Sequence, residues 1–374
     1  MLTLYLHIPF CKARCSYCDF YLITGGELIA PFFRALSLET ASRSVEMKGQ
    51  TISAIHFGGG TPSMVPVRYL AGWLEALAAQ CSFAPDIEIA LEANPEDLSL
   101  KTMDEFRAAG VTRLSIGVQS FTTEKLCALG RAHTAIQAGR VTADALRRFT
   151  SVSVDLICGV PGENRSLWQA DLHEALALHP HHLSLYMLSV EPKTILHRQV
   201  AKGMVTVPDD ALQASLYEDA QGALSLQGYS QYEVSNFSLP GHHSRYNLAT
   251  WKREPYLGFG PSAHSFLVSP QQEIRTANVS SLTRYLAAPA NAVDFREELS
   301  DEERFTEEVF LSLRINSGLD VDFLQKGNKL KYTLSHSIAR FSEKGWIEQQ
   351  EGRLYLTKNG FLFADLIAEE FIFG

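Results

Sequence analysis

The chain has 374 residues, 46% of them hydrophobic, and a formal net charge of −9. That length supports one large core with a smaller one beside it, and the acidic balance excludes a phosphate backbone, hence nucleic acid, as the main partner. No apolar run approaches the roughly 20 residues of a membrane helix, the N-terminus runs into a strand with no signal-peptide pattern, and six Cys, three of them between positions 11 and 18, fit a reducing cytoplasm and not a disulfide framework.

Residues 1–190 alternate short apolar or β-branched runs with helix-like stretches. The runs fall at 2–8, 52–57, 87–91, 113–118, 151–157 and 182–188, and the helical stretches at 30–46, 66–79, 100–109, 123–148 and 167–178. Six strands with right-handed helical crossovers predict an α/β fold whose parallel sheet curls toward a barrel. A full eightfold barrel takes about 250 residues, so this is a partial (β/α)6 barrel, and functional residues belong at the C-terminal ends of its strands. Residues 191–300 lose the repeat. They hold a strand-like run at 230–235, then a Gly, Pro, His and aromatic stretch as far as Phe266, and read as an extension that closes the side of the barrel. Residues 301–374 read as helices at 302–313, 321–325 and 330–342, a hairpin at 346–356 turning at Gly352, and a last helix ending at Ile372. That order predicts a winged-helix-like α+β domain. Acids outnumber bases in it, which favours a cap or docking module over a DNA reader.

The chemistry-bearing stretch is Cys11-Lys-Ala-Arg-Cys15-Ser-Tyr-Cys18, just past the first strand. Thiolates this close repel one another unless a cation holds them, and soft sulfur suits an iron–sulfur cluster or zinc. A closed zinc site takes four protein ligands, and no fourth Cys or His follows closely. A cubane held by three thiolates keeps one iron open. The second strand ends in His56-Phe-Gly58-Gly59-Gly60-Thr61-Pro62, where the glycines let backbone approach a ligand. The third ends in Glu92-Ala-Asn94-Pro95, a carboxylate whose desolvation needs a partner. The fourth ends in Gln119, with Arg131 on the helix that follows. The fifth carries Asp155 and Cys158, and the sixth Tyr186 and Met187.

C-x3-C-x2-C with Tyr17 before the third Cys resembles the radical S-adenosylmethionine (SAM) superfamily. Tyr5-Leu-His-Ile-Pro-Phe-Cys11 and Cys18-Asp-Phe20 resemble its oxygen-independent coproporphyrinogen III oxidase group, and within that group the heme chaperone branch, over nearly the whole chain. The resemblance implies a 4Fe-4S cluster on Cys11, Cys15 and Cys18, and SAM cleaved reductively to a 5′-deoxyadenosyl radical. It implies Gly59, Gly60 and Thr61 near the methionyl amino group and Glu92 on the ribose. Gln119, Arg131 and Asp155 become SAM contacts, with Arg131 on the carboxylate, whose shape a guanidinium fork matches. Met187 falls near the adenine or packs in the core, and Tyr5 and Tyr17 join the cofactor set. Cys158 reads as a small core residue, Cys81 and Cys127 as structural, and His7 and His56 as satisfied structural histidines.

The decarboxylases of this group resemble C-x3-C-x2-C-x-C, with a Cys where Phe20 stands, and carry a segment ahead of the first strand that is expected to be missing here. Both departures resemble the heme chaperones. So does the run Gln231-Tyr-Glu233-Val-Ser-Asn236-Phe through Arg245-Tyr246-Asn247-Leu-Ala-Thr250-Trp251 to His264, although the branch's usual His-Asn-x-x-Tyr-Trp has Tyr246 for its His and Thr250 for its Tyr. His243 and Tyr246 are then the candidate heme ligands. The implied function is a cytoplasmic heme chaperone, dimeric and peripheral at the inner membrane face, that hands heme to respiratory hemoproteins. The alternatives are a coproporphyrinogen III oxidase or another radical SAM enzyme acting on a tetrapyrrole, and a plain iron–sulfur protein.

Overall fold

The computed structural model describes residues 1–327 and 331–374. Six strands lie side by side in chain order within a larger sheet: β1 (Leu2–Ile8), β2 (Thr51–Gly59), β3 (Ser82–Ala93), β4 (Arg113–Gln119), β5 (Ser151–Cys158) and β6 (His182–Met187). All five pairings between them are parallel. Alternation explains why they form. In β1, Leu2, Leu4, Leu6 and Ile8 enter one apolar core with Phe32, Leu36 and Leu74 of the covering helices Ile29–Ser42 and Val67–Ala78. Thr3, Tyr5 and His7 take the other face. The register aligns Tyr5 with His56, Glu92 with Ser115 and Asp155 with Ser184, so that second face is polar along the sheet.

The extension lengthens the sheet at both ends. β7 (Ser230–Gln231) and β8 (Asn236–Ser238) add antiparallel strands beyond β6. β9 (Tyr256–Phe259) pairs parallel with β1, and β10 (His264–Val268), β11 (Glu273–Asn278) and β12 (Val293–Glu298) follow antiparallel, giving 12 strands in an open order. The strand expected over 230–235 is broken, because buried Glu233 leaves the ladder to bridge Ile315.

The helix expected over 123–148 is also two: Thr123–Leu129 and Ala135–Leu146. Gly130 caps the first at φ +71°, a left-handed conformation that ends a helix. Arg131 therefore sits in the connecting loop and not on a helix. The C-terminal part packs Asp301–Ser312, Val321–Gly327 and Lys331–Glu343 with a three-stranded sheet, in which Ile347–Gln350 and Arg353–Leu356 turn at Glu351 and Gly352, both at positive φ, and Leu319–Asp320 adds the third strand. The expected helix start at Leu330 lies outside the described residues. A final helix, Ala364–Phe373, completes this winged-helix-like unit.

Candidate functional site

The C-terminal ends of β2 to β6 and the loop after β1 surround a cavity of about 640 Å³. The cysteine loop is built first. Phe10–Cys11 pairs with Ile23–Thr24, and Gly60 N–H and Thr61 N–H donate to the carbonyls of Ile8 and Phe10 at 2.8 and 2.7 Å. Arg14 draws in the rest, donating to the carbonyls of Cys18, Phe20 and Leu22. Cys11, Cys15 and Cys18 thus line one wall, with Tyr17 beside them. Among the described residues no three His, Cys, Asp or Glu side chains converge as ligands of a single ion would. All three thiols line the same cavity.

Electrostatics fit a thiolate-held cluster. Burial pushes the Cys11 thiol up to about 11, and Cys18 and Cys15 push the same way against the Thr61 hydroxyl, which lies 3.0 Å from the sulfur. Burial, then Cys15, also raises Cys18. Thiolates here need cations, which iron supplies. Arg131 contributes one: it donates to Cys15 Sγ at 3.5 Å. Burial opposes its charge, yet Tyr17, Cys15 and Glu96 raise its pKa overall.

Across the cavity stand the residues picked out at the strand ends. Gly59 lies at φ +107°, and a Cβ on Gly60 would fall 2.7 Å from the Phe10 carbonyl oxygen, so only glycine fits. Thr61 Oγ1 joins Cys11 to Asn94. Glu92 is paired to His56, at 2.9 Å, and to no arginine. Gln119, at φ +65°, holds a buried Oε1 without a partner, as does Arg131 at its Nε. Asp155 accepts from Ser115 and Ser153 at 3.0 Å. Burial pushes its carboxyl up to about 6, against the hydroxyls of Ser184, Ser115 and Ser153. Met187 is 41% exposed and faces the cavity, not the core. Two carboxylates, an orphan amide oxygen and a guanidinium around one space suit a ligand with hydroxyl, amino and carboxylate groups. The donor set therefore fits both a thiolate-held cluster and SAM.

Two site residues, Asn94 and Ser115, had no role assigned from the sequence, and His56, read there as a satisfied structural histidine, bonds a site carboxylate. His56 orients Glu92, Asn94 ties Arg131 (2.6 Å) to Thr61, and Ser115 bonds Asp155. The period of two along a strand would have found Ser115, which stands opposite Glu92 in the register. Three chosen residues lie outside the cavity lining. Tyr5 bonds His7 and stacks on His56 and Tyr246, at centroid distances of 6.0 and 5.8 Å. Tyr246 lies against His56 at 4.9 Å, and His243 stacks on Tyr232 at 4.4 Å. Cys158 is fully buried, in agreement with a core role, whereas Cys127 is exposed on its helix and packs in no core.

Comparison with known proteins agrees with this geometry. A model of the Radical SAM superfamily matches residues 5–175, and one of the HemN C-terminal domain matches residues 299–363. The solved structure of coproporphyrinogen III oxidase (HemN) from Escherichia coli superposes with a TM-score of 0.84 at 24% identity, covering 100% of this chain and 90% of that one, which establishes the fold. Heme chaperone HemW of Bacillus subtilis (strain 168) is 33% identical over 386 aligned positions, covering 100% of this chain and 99% of that protein. The mitochondrial Radical S-adenosyl methionine domain-containing protein 1 of Bos taurus is 37% identical over 85% of this chain and 74% of its own length. Matched end to end at this level, the chain belongs to the radical SAM superfamily and, within it, to the family of the HemW proteins.

Proposed function

We propose that this protein is a heme carrier that binds a 4Fe-4S cluster and SAM, and passes heme to respiratory hemoproteins at the inner membrane face. Membership of the superfamily implies the cluster and SAM, and the relatives named heme chaperone support heme as cargo. The observation that carries the cofactor reading is the single cavity shared by three thiols, Gly59, Gly60, Glu92, Gln119, Arg131 and Asp155. When bound, the cluster and SAM supply one-electron reductive cleavage of a sulfonium.

The chain's own residues do the holding. Cys11, Cys15 and Cys18 ligate iron, with Arg131 offsetting thiolate charge and pairing with the SAM carboxylate. Glu92, fixed by His56, and Asp155 accept from the ligand's hydroxyl and amino groups, while Met187 and Tyr17 give apolar contact. For heme, the stretch 230–266 offers two donors. Burial first, then Tyr256, Tyr5 and Glu92, push the Tyr246 phenol well above its ordinary range, which disfavours the phenolate that iron needs. Burial, then Arg113 and Lys252, lower His243, leaving a neutral imidazole. His243 is the better ligand. Residues 1–190 form the cofactor barrel, 191–300 the heme-bearing extension and 301–374 a docking unit for acceptors or a second copy. Among the described residues no helix is long and apolar enough to cross a membrane.

The test is anaerobic reconstitution with iron and sulfide, then a split sample. One half is titrated with hemin; the other receives SAM, a reductant and coproporphyrinogen III. Stoichiometric heme binding without decarboxylated product is the expected outcome. Product formation would return the oxidase reading, despite Phe20 in place of a further Cys.

A further inference from the structure

Three charged side chains are buried together beside the loops that follow β4 and β5. Lys125, on the helix Thr123–Leu129, is 1% exposed, and the side chains of Glu163 and Asp171 are fully buried. Its ammonium donates to Glu163 and, at 2.6 Å, to Asp171, and lies 5.0 Å from the centre of the Trp168 ring. Two carboxylates to one ammonium leave negative charge in a dry place. Apolar side chains of the same volume would pack there without that desolvation cost, so stability alone does not account for the trio.

The other bonds of the two carboxylates show what it holds. Asp171 accepts from Ser120 Oγ at 2.9 and 2.8 Å, from Phe121 N–H at 2.6 Å and from Thr122 Oγ1 at 3.0 Å. These are the three residues that follow Gln119 at the end of β4. Glu163 accepts from the N–H groups of Gly159 and Val160, at 2.5 and 3.0 Å, just past the end of β5. One ammonium thus joins the two loops that leave the strands carrying Gln119 and Asp155. Gln119 needs such a hold. Its φ of +65° is left-handed, and a side chain stays there only where its surroundings over-determine it.

We infer that Lys125 is a positioning residue for SAM: through Asp171 and Glu163 it fixes the Gln119 turn and the end of β5, and so sets the affinity of the cavity for that ligand. The inference rests on the SAM reading above. It is tested on the full-length, cluster-loaded protein with SAM in a calorimeter, where stoichiometry reports the folded fraction and Kd reports the site. Lys125→Met, which leaves two carboxylates without their cation, raises Kd at least tenfold, and adding SAM no longer produces the full wild-type change in the electron paramagnetic resonance of the reduced cluster. A purely structural lysine would lower the stoichiometry or the thermal midpoint and leave Kd and the resonance change as in wild type; that result overturns the inference. If Lys125→Met does not fold, Glu163→Gln preserves shape while removing one charge; a Kd raised about threefold supports the assignment, and an unchanged one sinks it. Absence of SAM binding by the wild type would defeat the SAM reading itself, and this inference with it.

Discussion

At the scale of single residues, the site works by placing charge where water is scarce. Asp155 is the clearest case, because burial pushes its carboxyl up to about 6. Its carboxylate form, the one that accepts bonds from a ligand, dominates above that pH and is lost below it. SAM affinity therefore falls as pH drops through about 6, by up to roughly tenfold per unit. Stability has the opposite sense: the native chain holds this proton more tightly than the unfolded one, so the group's contribution is present below the ordinary carboxylate range and is lost as pH rises through about 6. Calorimetric titrations on either side of that pH check the first point. Asp155→Asn weakens binding at neutral pH and flattens the acid limb; a limb that survives in the variant belongs to another group. The thiols give a second prediction. Cys15 is the one that Arg131 approaches, and Cys15→Ser removes a corner that no neighbouring Cys is placed to replace. The reconstituted variant should lose the broad visible absorption of the cluster, and an unchanged spectrum would put the ligands elsewhere.

Elements explain why those residues meet. A parallel strand delivers a side chain to the same end of the sheet each time, so five strand ends, the loop after β1 and the interhelical loop carrying Arg131 line the cavity. The end of β2 fits closely against the cysteine loop. A methyl group on Gly60 would meet the backbone of Phe10 and Ile8, at 2.7 and 3.0 Å, and no side-chain rotation relieves it. Gly60→Ala should cost roughly 1–3 kcal/mol and lower iron content after reconstitution. Gly72→Ala, on the helix Val67–Ala78 with nothing within 4 Å of the added carbon, is the control and should be neutral or stabilising by up to about 1 kcal/mol. Equal effects in a denaturant titration would show that the close approach does not matter. This level was largely legible in the sequence, because strand alternation, the thiol spacing and the glycines are local signals. The break at Gly130 was missed: apolar spacing continues on both sides of it, so the lone Gly that marks a left-handed helix end was read through. The pairing of Tyr256 with Thr3 and the meeting of Lys125, Glu163 and Asp171 were hidden for another reason. Each joins residues far apart in the chain, with no spacing that announces it.

At the scale of the whole molecule, the question is whether the barrel and the winged-helix-like unit behave as one body. The seam between them is specific, and Arg253 and Arg275 add ion pairs to Glu307 across it. Val234 N–H donates to the Arg314 carbonyl, Asn316 N–H to the Tyr232 carbonyl, and Gln221 Nε2 to the Lys358 carbonyl at 3.0 Å. Tyr217 is its pivot. It belongs to the helix Asp210–Leu226, packs in the same core as Val309, Leu354 and Ile367, and donates its hydroxyl to the Val234 carbonyl at 2.5 Å while accepting from Gln231 at 2.6 Å. The broken strand at Glu233 has a purpose in this setting: leaving the ladder lets 232–234 reach the other unit. Tyr217→Phe removes the hydroxyl and keeps the ring, leaving buried partners short of a bond, a loss of about 1–2 kcal/mol. If the seam couples the two units, that loss is shared by both. The slowest-exchanging amides of β2 and β3 and those of Asp301–Ser312 should then all exchange faster by a common factor of roughly 5–30. Acceleration confined to Asp301–Ser312 would mean that the C-terminal unit opens alone, leaving the cofactor cavity intact while it does so.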